Sequence, residues 1–165
     1  MPRLIFNNEA SKKALRRAAD LLGDMTPVYQ DVGEYMLEAT RDRFRKGEAP
    51  DGSKWPAKSA ATLDRYKRLG YGTLNRPLIG PSKSLSRQIL RFVSADGVTI
   101  GSNLEYSGVM QFGAAKGAFG TDSRGRSIPW GRIPARAFLG LSDADEEAII
   151  DIAEEHIEPL LDADG

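Results

Sequence analysis

The residues of this 165-residue chain that could carry chemistry are few. The one histidine, His156, stands among Glu154, Glu155 and Glu158. A Ser-His-Asp relay needs an acid and a serine to converge on the imidazole, and the local spacing arranges neither. His156 therefore reads as a half-exposed surface residue. The chain has no cysteine, so thiolate metal sites and disulfides are excluded. The stretch GPSKSLS, Gly80 to Ser86, faintly resembles a phosphate loop. That loop requires a second glycine directly before its lysine, so that backbone N–H groups wrap the phosphates, and this glycine is missing. An oxygen-ligand metal loop needs several grouped acceptors, whereas GTDSRGRS offers only Asp122. No catalytic residue, cofactor or metal is expected, and the chain does not read as an enzyme.

Basic side chains are the stronger signal. Arg41, Arg43 and Arg45 lie on the polar face of a predicted helix, and further cations run to Arg91 with Tyr66, Tyr71 and Phe92 interleaved. Such stripes suit non-specific contact with nucleic acid. Solvation of an outward helix face explains them equally well, and the sequence pI of about 6.6 speaks against a dedicated binder. A DNA-binding accessory protein is the alternative reading.

The elements that position these residues follow from periodicity. RLIF, Arg3 to Phe6, suits a short edge strand. A helical stripe from about Asn8 runs through Ala14, Leu15, Ala18, Leu21 and Leu22 to Gly23. Thr26-Pro27 reads as the cap and first position of a second helix, whose apolar face (Val28, Val32, Tyr35, Met36, Ala39, Phe44) extends to about Lys46. Ser59 to Gly70 predicts a short helix with Leu63, Tyr66 and Leu69 inward, followed by a loop-rich stretch. Gln88 to Ser102 is the clearest β signal, a hairpin turning at Asp96-Gly97. LEYSGVMQFG predicts one short helix closed by Gly113. A last helix opens at Asp143, with Ile149, Ile152, Ala153, Ile157 and Leu160 facing the core. The expectation is a single α+β domain over 1–165, with a small antiparallel sheet near 88–101 against long N-terminal, central and C-terminal helices. No apolar run approaches the roughly 20 residues of a membrane span. MPRLIFNNEASKK turns polar too soon to hold a signal-peptide core.

Two loops and the charge distribution suggest assembly. EAPDGSKWPAKS, Glu48 to Ser59, sets one of two tryptophans, Trp55, in a loop stiffened by Pro50 and Pro56 and turned by Asp51-Gly52. Trp55 either plugs its own core or anchors an adjacent protein. Residues 113–132 form a glycine-rich excursion that a compact domain rarely keeps without a use; it is expected to be flexible. All 23 Lys and Arg lie at or before Arg136, with 13 acidic residues beside them. Beyond Arg136 stand ten acidic residues and no cation. Such polarity favours head-to-tail contact between copies, or an acidic helix folding back on its own basic half.

Three motifs in order carry a family resemblance: PDGSKW from Pro50 to Trp55; IGSNLEYSGVMQFG with Tyr106, Gln111, Phe112 and Gly113; and IPARAFLG with Pro134, Arg136 and Phe138. This order resembles the Mu-like phage virion morphogenesis family, from about Val28 to Ile157. Ser107 stands where that family commonly has alanine, and GPSKSLSRQI only loosely replaces its usual step before the hairpin. The resemblance implies a non-enzymatic structural protein that completes the tail or joins tail to head. It implies a ring of copies, six by the resemblance, in contact with other neck and tail proteins and with passing DNA. Its place would be the virion neck, after assembly in the host cytoplasm. Within IPARAFLG, Pro134 is expected to set an extended approach, Phe138 to be buried, and Arg136 to tie the segment to a carboxylate or carbonyl.

Overall fold

The computed structural model describes residues 8–163, so the strand expected at Arg3–Phe6 lies outside the described residues. Helix α1 (Glu9–Leu22) starts where the Asn8 side chain accepts from the Ser11 N–H at 2.9 Å, and ends at Gly23. Helix α2 (Thr26–Lys46) places Thr26 and Pro27 inside its first turn, one position later than a Thr26 cap would have them. Asp24 Oδ1 accepts from the Thr26 N–H there, and those bonds hold the Asp24 carboxyl below its ordinary range. Helix α6 (Asp143–Ala163) closes the chain with three acids in its first turn.

The α2 helix is the axis of the molecule: α6 and a hairpin both pack against it, and α1 packs against α6. The hairpin pairs β1 (Leu90–Ser94) with β2 (Gly97–Gly101), antiparallel, with Phe92 opposite Thr99. Gly33 lets it close on α2, because a Cβ there would stand 3.0 Å from a Val98 methyl and 3.3 Å from the Arg91 side chain. The loop is Ala95-Asp96, not Asp96-Gly97: Ser94 pairs with Gly97, and Asp96 is not among the residues with positive φ.

Two apolar clusters fill the body. One gathers Ala18, Met25, Val28, Val32 and Met36 with Ile149, Ala153 and Ile157 of α6. The other gathers Phe44, Trp55, Ile79, Leu85, Ile89, Phe138 and Leu139. At roughly 1.5–3 kcal/mol for each large apolar side chain removed from water, both are substantial.

Two apolar expectations fail at element ends. Leu160 is 40% exposed, because the last turns of α6 run beyond their partners. Leu69 is 56% exposed, and helix α3 (Ala60–Arg68) buries none of its residues fully. Leu63 and Tyr66 are only half-buried. The loop-rich stretch after α3 is pinned instead by Lys58, whose Nζ donates to the carbonyls of Leu74 and Ile79, each at 2.6 Å. A one-turn helix, α4 (Ser84–Arg87), follows Lys83 and buries Leu85, so GPSKSLS is a packing segment. Helix α5 (Ser107–Phe112) is shorter than LEYSGVMQFG suggests.

Residues 114–133 make a self-contained arm rather than a structureless loop. Ala114 and Ile133 exchange backbone hydrogen bonds at 2.9 and 2.8 Å, closing its base, and Thr121 bridges Ser127 near its tip. Asp122 accepts from the Arg124 and Arg126 N–H groups and from the Arg126 guanidinium. The Arg126 backbone N–H foremost holds the Asp122 carboxyl below its usual range.

Candidate functional site

The residues that the three motifs supply converge on one extended segment, Ala135 to Gly140. This segment belongs to no strand, yet it is buried from Phe138 to Gly140. Buried backbone polar groups require partners, and here side chains provide them. Gln111 Oε1 accepts from the N–H groups of Phe138 and Leu139 at 2.9 and 3.0 Å, while its Nε2 donates to the Leu139 carbonyl at 3.0 Å. One amide side chain thus takes the place of a neighbouring strand. Trp55 Nε1 donates to the Ala137 carbonyl at 2.8 Å. Arg43 Nη1 donates to the carbonyls of Phe138 and Gly140 at 3.1 and 2.9 Å.

Arg136 works in the reverse direction. Its Nε and Nη2 donate to the carbonyls of Pro56 and Ala57, each at 2.7 Å, locking the tryptophan loop to the segment. Burial, uncompensated by any carboxylate, lowers the Arg136 pKa. Of the two partners expected for it, the carbonyl is correct.

Trp55 is 5% exposed and meets Phe44 edge-on, with ring centroids 5.3 Å apart, while Phe138 lies 5.4 Å from the same Phe44 ring. Trp55 is therefore the internal plug. Its loop turns at exposed Asp51, which accepts from the Ser53 N–H at 2.9 Å, and at Gly52 with φ of +80°. Pro50, half-buried, precedes the turn.

Gly113 is fixed by space as well as by backbone. Its φ is +74°, and a Cβ would fall 2.7 Å from the Ile133 carbonyl oxygen and 2.8 Å from the Ala135 nitrogen. Pro134 is half-buried at this crossing, and the Arg136 N–H returns to the Met110 carbonyl at 2.8 Å.

The structure corrects one arginine. Arg43 does not face outward for DNA. It is 8% exposed and bonded through Nη2 to Asp145 in the first turn of α6. Asp145 also accepts from the Ser142 N–H at 2.8 Å and from the Tyr35 hydroxyl at 3.1 Å. Burial lowers the Arg43 pKa, with Asp145 opposing it; burial, then Asp145, raises that of Tyr35. A removed partner would leave a buried charge uncompensated. The signal was present, since Arg43 follows Met36 by seven residues and so shares its inward face. Arg41 and Arg45 do remain at the surface, but both pair with Glu38, at 3.8 and 2.6 Å, and Arg45 also with Asp42 at 3.1 Å.

Two motif residues stay outside the clamp: Tyr106 and Phe112 are 43% and 57% exposed. His156 is half-buried, with Nε2 2.7 Å from Asp31 Oδ2. Among the described residues no group of three His, Cys, Asp or Glu could hold a metal, and no helix is long and apolar enough to cross a membrane.

The polar network of these motif residues holds the chain's own backbone in place. The chain matches the phage virion morphogenesis family over residues 6–158. It is 26% identical over 157 residues to Mu-like prophage FluMu G protein 2 of Haemophilus influenzae, covering 95% of this chain and 96% of that protein. No solved structure matches. The chain belongs to the phage virion morphogenesis family, and its role is in building a virion.

Proposed function

We propose that the protein completes the tail and joins it to the head at the neck of the virion, acting as a closed ring of six copies. The observation that carries this reading is the arm at 114–133, which projects Phe119, Ile128 and Trp130 into solvent from a body already well packed. Exposed aromatics grouped on a projection mark a surface made to be covered. The charge polarity of the chain supports contact between unlike faces, and such a contact repeated around an axis closes a ring. The other neck and tail proteins (connector or adaptor, tail terminator or tube) would meet the remaining exposed residues, Tyr106 and Phe112 among them. The DNA-binding alternative is weakened, because Arg43 is internal and Arg41 and Arg45 carry carboxylate partners.

The test is electron microscopy of particles made without this protein. Filled, tailless heads beside finished, unattached tails are expected. Intact infectious virions would refute the reading. For the purified protein, sedimentation at low ionic strength should show a discrete oligomer, and a monomer at every concentration would refute the ring.

A further inference from the structure

The arm and the C-terminal helix carry complementary surfaces that do not meet within one chain. Residues 114–133 hold four cations, Lys116, Arg124, Arg126 and Arg132, against one carboxylate, Asp122. Asp122 is occupied by Arg126 at 2.7 Å, whereas Lys116, Arg124 and Arg132 make no ion pair among the described residues. Trp130 is 66% exposed, and the Arg126 guanidinium lies over its ring at 4.6 Å from the centroid. Tryptophan and arginine together are the side chains that most often dominate protein interfaces.

On the opposite charge pole, α6 and α1 border a shallow hollow of about 450 Å³. Asp151, Glu154, Glu155 and Glu158 line it, with Arg17 the one cation. None of those four carboxylates has a Lys or Arg partner among the described residues. Leu161 adds an apolar wall that is 47% exposed. The hollow thus has the charge, opposite and equal, that the arm lacks, and an apolar surface for an aromatic ring.

Resting on the ring reading above, we propose that the arm of one copy docks in the α1–α6 hollow of the next copy. Arg124 and Arg132 pair with the carboxylates, and Trp130 covers Leu161. Donor and acceptor lie at different places on the protomer, so the contact is heterologous and propagates around a ring rather than ending at a dimer. Exposed Trp130 and exposed Leu161 in the single chain show that an arm does not occupy its own hollow in this conformation.

The experiment uses two full-length variants, R124E/R132E in the arm and E154K/E155K in the hollow. Both sets of substitutions are on exposed residues, and circular dichroism checks each fold. Each variant alone should self-associate at least about tenfold more weakly than the wild type, because like charges then face each other. An equimolar mixture should recover assembly, since every contact in an alternating ring joins opposite charges again. Trp130→Ala should also weaken assembly, by about tenfold or more. Wild-type assembly by both charge variants overturns this contact and leaves the ring reading standing. Loss of assembly that mixing does not restore also overturns it, and points to an arm folding on its own hollow. A wild type that stays monomeric at low salt overturns the ring and the contact together.

Discussion

Replacing Gln111 by methionine isolates the hydrogen bonds that stand in for a missing strand. Methionine fills nearly the same volume, so the packing change should stay under about 1.5 kcal/mol. What disappears is one acceptor serving two N–H groups and one donor serving a carbonyl, all at Phe138 and Leu139, which are 0% and 5% exposed. A buried backbone group left unpaired costs about 1–3 kcal/mol. Three such groups set an upper range of about 3–9 kcal/mol on the same basis, and partial relaxation should bring the loss to the lower part of it. We expect a fall of about 3–5 kcal/mol, a large share of the roughly 5–15 kcal/mol that holds an ordinary domain together. Urea unfolding followed by circular dichroism measures it, with the midpoint falling at constant slope. Amide exchange at Phe138 and Leu139 should accelerate by more than in the rest of the body. A loss below about 1 kcal/mol would refute the claim that this side chain supports the segment, because one ordinary exposed hydrogen bond could explain it.

Asp145→Ala should cost about 3–5 kcal/mol by leaving Arg43 buried without its carboxylate, and thermal melting reads the effect. The double change R43M/D145L removes the buried charge but leaves the Phe138 and Gly140 carbonyls without their donor, so it should recover only a part of that loss. Gly113→Ala should destabilise by at least about 1–3 kcal/mol from backbone strain alone, and its Cβ would overlap backbone atoms that no rotamer change can move. Trp55→Phe should cost about 1–3 kcal/mol, chiefly through the unpaired Ala137 carbonyl. Its remaining fluorescence, from exposed Trp130, should be red-shifted and readily quenched by acrylamide. Trypsin should cut the monomer, held apart at high ionic strength, first at Arg124, and the same site should be protected in assembled particles; equal cleavage in both would refute the covering of the arm.

The long helices and the hairpin were legible because their signals are local. Gly23 and Gly47 end α1 and α2 with positive φ, and the period of the apolar residues between them sets the buried face. The clamp was legible only as a list of motif residues. The clamp bonds of Gln111, Trp55 and Arg136 span 27 to 82 positions of chain, and no local period encodes which side chain replaces a missing strand. Arg43 was misplaced because charge was weighed above position on the helix. Leu160 and Leu69 misled for the opposite reason, since periodicity continues past the point where a partner surface stops. The arm was foreseen as an excursion, but its internal hydrogen bonds depend on Asp122 capping a turn with Arg124 and Arg126, a pattern whose length varies too freely to read in advance.

The closure of the arm at Ala114 and Ile133 separates two design problems that most proteins must solve together. Whatever lies between those residues hangs outside the body, so its length and chemistry can change while the stapled segment beneath stays fixed. A lineage facing a new neighbour could therefore rewrite the projection wholesale without renegotiating its own folding. For the experimenter, the same stretch is a natural place to graft a label or a foreign epitope.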